Sequence, residues 1–399
     1  VAHYLPGETA AALEVEATGG AGGYKYQWYY TTEADKNAEA TELPGETGTT
    51  FTPDASEEMP MRFYYCVVTD SAGATARSVL RQPVIVGETP TVTAYFSLTD
   101  DKYFVVGDND GGGSGKVMAM QKVTVPYFDL ALYGLGSYYF SSETYGEDPN
   151  DPGKPGSSLE PGTSAFAYGK ITDLHLLIYM LELHALGLTP EQAGKGLPYQ
   201  DPKLRGEWEK LFEASGSTGS LFMKYWGHSS NLTYYHNYKF PLASAGWGST
   251  SDQILLHDGD ILTVSMYSSD SFYSDKNAGY HHLGTEDQPN LVTQTVKQGE
   301  KLTLTLYRSW GDLKNPTSGG TFATKVANAA IYRVNAKSMT SGNVKDWIPC
   351  GTTDEKGAIT LETKNLTPGT YLFSADGQKG SNDAPEDYVS CPGGILVTV

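Results

Sequence analysis

The residues best suited to chemistry fall into a few short runs, most of which lack one component. Asp110, Gly111, Gly112, Gly113, Ser114, Gly115, Lys116 and Val117 have the glycines and lysine of a phosphate-binding loop. Asp110 replaces its leading glycine, however, and Val117 replaces its metal-binding hydroxyl, so phosphate is not expected there. Asp108 and Asp110 with Gly111 match the middle of a calcium loop, but Val106 and Val117 stand at the ends where carboxylates are needed. Glu147, Asp148, Asn150 and Asp151, set among Pro149, Pro152 and Pro155, form a second oxygen-rich loop. Calcium at these acidic loops is the one cofactor the sequence admits. His175, Tyr179 and Glu182 would share one face of a helix, a spacing that serves a metal or an acid–base pair, yet nothing adjacent completes the set. His281 and His282 are neighbours and would point to opposite faces of a strand. With no GxSxG elbow, HExxH helix or Cys/His nucleophile, catalysis is not expected.

What does accumulate is aromatic surface. Between residues 222 and 247 stand Phe222, Tyr225, Trp226, Tyr234, Tyr235, Tyr238, Phe240 and Trp247, interleaved with His228, Asn231, His236 and Asn237. Rigid rings carry contact area and amides orient a ligand. The ligand-binding candidates are therefore Trp226, Tyr234, Tyr235, His236, Asn237 and Trp247. Tyr234, His236 and Trp247 would form the platform, for a host glycoprotein, a sugar or a flat small molecule. In the bland alternative Phe222, Tyr235 and Phe240 fill a core.

The elements that must hold these residues are mostly strands. The chain has 399 residues, 45 of them Gly and 28 Tyr, with 39% hydrophobic and 19% charged residues. That composition favours many turns and β-compatible aromatics. Lys and Arg number 28 against 47 Asp and Glu, a net charge of −19 that repels nucleic acid and anionic lipid. The most apolar stretch, Leu174 to Leu188, is broken by His175, Glu182 and His184, so no membrane insertion is expected. The fold class expected is mainly β with a minor α component, arranged as an immunoglobulin-like sandwich (1–88), a central α+β unit (89–285) and a C-terminal β-sandwich (286–399).

In the first segment Tyr24, Tyr26, Trp28 and Tyr30 alternate with Lys25, Gln27 and Tyr29, and a second strand begins at Tyr64, Tyr65, Cys66. This resembles the bacterial immunoglobulin-like class, with Tyr64 at the tyrosine-corner position. The partner strand reads Leu13 to Ala17 without cysteine, so Cys66 is expected as a small buried hydrophobe. In the central segment Thr172 caps a helix over Asp173 to Leu188, Thr189 to Gln192 is a capping box for a short helix, and Pro202 to Phe212 is a third. Strands are expected at Leu221–Trp226, Leu232–His236 and Ile261–Met266.

Tyr234, Tyr235, His236, Asn237, then Gly246, Trp247, Gly248, then Leu255 to Ile261 with Asp258, Gly259, Asp260, resemble the transcobalamin-like C-terminal domain family of bacterial surface proteins. Animal relatives of that family grip a corrinoid against a helical barrel that this chain lacks. In the last segment a strand is expected over Val296–Tyr307. Thr352 to Gly357 with Leu366 to Tyr371 resembles the collagen-adhesin B-type repeats of Gram-positive adhesins, whose crosslink-promoting Glu is replaced here by Ala375. Cys350 and Cys391 flank strands and are expected either as a disulfide or as two buried thiols.

Together these readings imply a monomeric, non-enzymatic segment of a Gram-positive surface protein, extracellular at the cell surface or wall, binding a host protein or glycan and no nucleic acid. Two alternatives stay open: a corrinoid- or haem-binding receptor using His236 and His257, and a polysaccharide-active enzyme with close carboxylates.

Overall fold

The computed structural model describes residues 2–33, 38–78, 83–99, 117–136, 147–148, 151–155, 170–217, 220–227, 232–238, 250–252, 254–266, 279–310, 321–335, 348–375, 388–389 and 395–399. The protein is mainly β with a minor helical part, and its buried residues form three clusters in chain order.

The first unit contains β1 (Ala2–Tyr4), β2 (Leu13–Glu14), β3 (Lys25–Thr31), β4 (Thr41–Glu42), β5 (Thr50–Phe51), β6 (Met59–Thr69), β7 (Thr75–Arg77) and β8 (Pro83–Val86). One sheet runs β1-β8-β6-β3-β4 with β7 on β6, and β2 pairs β5 separately. Trp28 lies directly opposite Cys66, and both are buried with Phe51 and Tyr64. Burial raises the Cys66 thiol above its ordinary range, which suits a hydrophobe better than a nucleophile. The Tyr64 hydroxyl, at the tyrosine-corner position, donates to the Met59 sulfur at 3.4 Å and not to a backbone carbonyl.

Strand alternation gives β6 two jobs. Tyr64 and Cys66 enter the first core, whereas Phe63 and Tyr65 belong to the central core, with Tyr29, Met61 and Val67 packed against it. The first sheet therefore forms a wall of the second unit.

The central unit has β9 (Thr91–Thr99), β10 (Val117–Pro126), the small pair β11 (Glu147–Asp148) and β12 (Asp151–Pro155), the hairpin β13 (Glu213–Ser217) and β14 (Ser220–Lys224), then β15 (Leu232–His236) and β16 (Ile261–Met266). Its main sheet runs β10-β9-β16-β15. A bulge lies between Met118 and Gln121, where Met120 takes φ 44° and its N–H donates to Ser97 Oγ at 2.8 Å. Helix α1 (Asp173–His184) is buried from Asp173 through Glu182, so it is a core helix and not the half-exposed face its polar residues suggested. The capping box at Thr189 makes its bond, Thr189 N to Gln192 Oε1 at 3.0 Å, but only a turn follows. Gly194 and Gly196, at φ 78° and 69°, bend the chain into α2 (Leu197–Gln200) and α3 (Pro202–Leu211).

The third unit comprises β17 (Gly279–Gly284), β18 (Thr293–Thr295), β19 (Lys301–Trp310), β20 (Thr321–Lys325), β21 (Ala330–Asn335), β22 (Ile348–Thr352), β23 (Ala358–Glu362), β24 (Thr370–Ala375), β25 (Tyr388–Val389) and β26 (Ile395–Thr398). One sheet runs β20-β19-β17-β25 with β23 on β19, the other β18-β26-β24-β21-β22. Leu302, Leu304 and Leu306 from one meet Ile331, Phe373 and Ile395 from the other. Strand β17 hydrogen-bonds in this unit, so the chain enters the third core before residue 286. The single strand expected over Val296–Tyr307 is two: a turn at Lys297–Glu300, with Gly299 at φ 94°, sends β18 to one sheet and β19 to the other.

Candidate functional site

The strongest concentration of ionisable groups lies where the start of α1, the end of β15 and the turn before β16 converge. Asp173 opens α1 after the Thr172 cap, where the helix dipole favours a carboxylate, and it is completely buried. His236 ends β15 and is 16% exposed at its side chain. Its Nδ1 lies 3.0 Å from each Asp173 oxygen, and its Nε2 lies 3.2 Å from Asp260 Oδ2. Both ring nitrogens thus face carboxylates and both donate. Burial alone would lower the imidazole, but the two carboxylates outweigh it and raise it to about 10. Asp260 is itself held below its ordinary range, because bonds to His236, Asn237 and the His257 backbone overcome burial.

The turn chemistry that fixes this cluster is local. Asn237 takes φ 50°, a conformation Asn tolerates, and Tyr238 follows at φ 65°. Asn237 Nδ2 donates to Asp260 Oδ1 at 2.7 Å, and its Oδ1 accepts from Ile261 N at 3.0 Å. Asp260 Oδ2 accepts from His257 N at 2.8 Å, and Asp258 Oδ1 accepts from Thr93 N at 2.7 Å. The Asp258-Gly259-Asp260 turn is thereby bound to β9 and to the end of β15.

The rings divide by the alternation of β15. Tyr234 and His236 share a side, with Tyr234 half-buried against the central core, and Tyr235 is enclosed at 1% exposure. Trp226 is 8% exposed, in left-handed backbone at φ 55° and edge-on to Tyr225. Tyr235 and Trp226 therefore offer almost no ring surface to a ligand. Phe222 reverses expectation: Leu221 and Met223 face the core, so alternation turns Phe222 outward at 70% exposure. Trp247, Phe240, His228 and Asn231 lie outside the described residues. Of the six candidates, the structure brings together Tyr234, His236 and Asn237.

The helix-face trio is not a shared site. His175 Nδ1 accepts from Thr172 N at 3.1 Å and its Nε2 donates to Phe128 O at 3.0 Å, which keeps it neutral; burial lowers it to about 4. Glu182 accepts from the Tyr133 hydroxyl and from Gly194 N, each at 2.7 Å, and burial raises it to about 7. These residues fasten α1 to the segments around it. Among the described residues no group of His, Cys, Asp and Glu is arranged for a metal ion. The acidic loop at 106–117 lies almost wholly outside the described residues, and so does Cys391; Cys350 is a free thiol that burial raises to about 11.

Sequence reasoning gave Asp173 and Asp260 only local jobs, at a helix start and in a turn. Their meeting through His236 spans 63 and 24 residues, and no short-range pattern encodes it.

No family profile and no curated protein matches the chain. Among solved structures it is similar to a Bacteroides ovatus mixed-linkage glucan utilization locus protein in complex with a mixed-linkage heptasaccharide, at 9% identity over 100% of this chain, with a TM-score of 0.16. It spans 65% of that protein's length. It is also similar to three N-terminal domains of the bacteriophage RB49 highly immunogenic outer capsid protein, at 10% identity over 99% of this chain and 94% of that one, TM-score 0.18. A third is a bacterial ice-binding adhesin, at 8% identity over 95% of this chain and 88% of that one, TM-score 0.15. At these scores none is a shared fold. No helix among the described residues is long and apolar enough to cross a membrane.

Proposed function

We propose that this chain is a non-catalytic, ligand-binding segment of a bacterial surface protein, whose central unit holds a host protein or glycan at the side of β15 that carries Tyr234 and His236, with Trp247 completing the surface. The observation that carries this reading is the saturation of His236. An imidazole that donates from both nitrogens to Asp173 and Asp260 has no lone pair for a metal, a haem iron or a corrinoid cobalt, and none for accepting a proton from substrate. The same arrangement speaks against glycoside hydrolysis there, because the gap between the two carboxylates is filled by a ring and not left for a sugar. The cluster is instead a rigid mount for neighbouring rings, and a rigid mount is what a binding surface needs.

The test is retention of host mucosal secretion components and a glycan array, read for the wild-type chain and for a Tyr234→Ala, Trp247→Ala double variant with unchanged thermal unfolding. The double variant is expected to lose retention. Equal retention by both proteins would refute the platform, and a colour change on adding haem or cobalamin would favour the receptor reading through exposed His257.

A further inference from the structure

We infer a second binding site, in the first unit and independent of the platform above, built for one ring of a neutral, hydroxyl-rich sugar. A cavity of about 250 Å³ opens beside β5 and the start of β6. It lies just under the range of pockets that enclose drug-sized ligands, which limits an occupant to about a single ring. Phe51, Met59 and Tyr64 supply an apolar wall; all three are buried members of the first core, and the Phe51 and Tyr64 rings lie 5.1 Å apart. The wall is rigid. Trp28 Nε1 donates to Gly48 O at 2.9 Å and Gln27 Nε2 to Leu43 O at 2.7 Å, which pins the 43–48 loop that forms one side.

The polar complement decides the ligand class. Arg62 lines the cavity with its guanidinium carbon 4.1 Å above the Tyr30 ring, which fixes the group without giving it an acceptor in the plane. Its Nε–H is buried and meets no acceptor among the described residues. A buried donor left unmet is costly, and a ligand oxygen would satisfy it. At the rim stand two exposed carboxylates, Glu46 and Asp54, which accept hydrogen bonds but repel anions. An anionic ligand would face two carboxylates against one guanidinium on a chain of net charge −19. A cationic ligand would leave Nε–H unmet and approach a like charge. A neutral sugar meets all three demands: a C–H face on Phe51 and Tyr64, an oxygen for Arg62, and hydroxyl protons for Glu46 and Asp54.

The experiment titrates the full chain with glucose, galactose and N-acetylglucosamine, and with glucuronic acid and glucosamine as charged counterparts. It is read by intrinsic fluorescence and by calorimetry. At least one neutral sugar is expected to bind saturably and better than both charged forms. Arg62→Met should weaken it about tenfold, the effect of losing one hydrogen bond to a charged donor. Because Arg62 also stacks on Tyr30, a Glu46→Gln, Asp54→Asn double variant at the exposed rim serves as the second probe; it should weaken neutral-sugar binding and relieve the discrimination against glucuronic acid. Tyr234→Ala should leave this binding unchanged, which separates failure here from failure of the central platform. No saturable binding by any neutral sugar, or tighter binding of a charged one, overturns the assignment.

Discussion

Replacing His236 by Gln removes the cation from between two carboxylates, and the structure gives the size of the effect. The imidazole ordinarily titrates at 6.5 and is held here at about 10, a difference of 10 − 6.5 = 3.5 pH units. At about 1.4 kcal/mol per unit, the preference of the fold for the charged ring amounts to roughly 4 to 5 kcal/mol, in line with the roughly 3 to 5 kcal/mol cost of breaking a buried ion pair. Because the folded value is raised, this contribution is complete below pH 6.5 and is lost as pH rises toward 10. His236→Gln should therefore be less stable than wild type by roughly that amount at pH 6, by less at pH 8.5, and by little at pH 10. Urea unfolding at each pH, followed by the fluorescence of the buried central tryptophans, measures the difference. A deficit below about 1 kcal/mol at pH 6, or one that is equally large at pH 10, would refute the charged-clamp reasoning.

Glu182 predicts a second pH effect in a separate window. Its carboxyl is raised from 4.5 to about 7, so the fold favours the protonated acid; stability from this group is complete below pH 4.5 and declines as pH rises to 7, by roughly 3 kcal/mol. Glu182→Gln should flatten that decline, and unfolding midpoints of both proteins at pH 4.5 and 7.5 test it. Two glycines should respond in opposite directions to alanine. In Gly206→Ala the new methyl meets nothing within 4 Å inside α3, so thermal unfolding should show a gain of about 0.5 to 1 kcal/mol. Gly196→Ala, at φ 69° with Leu132 Cβ only 2.7 Å from the added carbon, should lose more than about 2 kcal/mol.

Local chemistry was legible in the sequence and long-range pairing was not. The Asp258-Gly259-Asp260 turn, the tolerance of Asn237 for left-handed backbone, the Thr172 start of α1 and the Trp28 and Cys66 strands could be read from residue type and spacing. Strand period also implied that half of the 222–247 rings face inward, but not which half: Phe222 is outside because Leu221 and Met223 outbid it for the core. The wall that β6 lends to the central unit was hidden, because Phe63 and Tyr65 look the same in sequence whether their second face meets solvent or another core. The α1 polar residues looked like one functional face, yet His175 and Glu182 each bond to partners from distant segments that no spacing rule supplies. The break at Gly299 lay inside a strong alternating pattern, and only its left-handed φ in the fold makes it a corner.

The central claim is that His236 is a doubly donating cation locked between Asp173 and Asp260, a mount and not a reactive group. Nitrogen-15 NMR of the histidine rings at pH 8 tests it most directly. The account predicts that His236 has both ring nitrogens protonated at a pH where an ordinary histidine is neutral. A neutral His236 ring with one unprotonated nitrogen at pH 8 would contradict it.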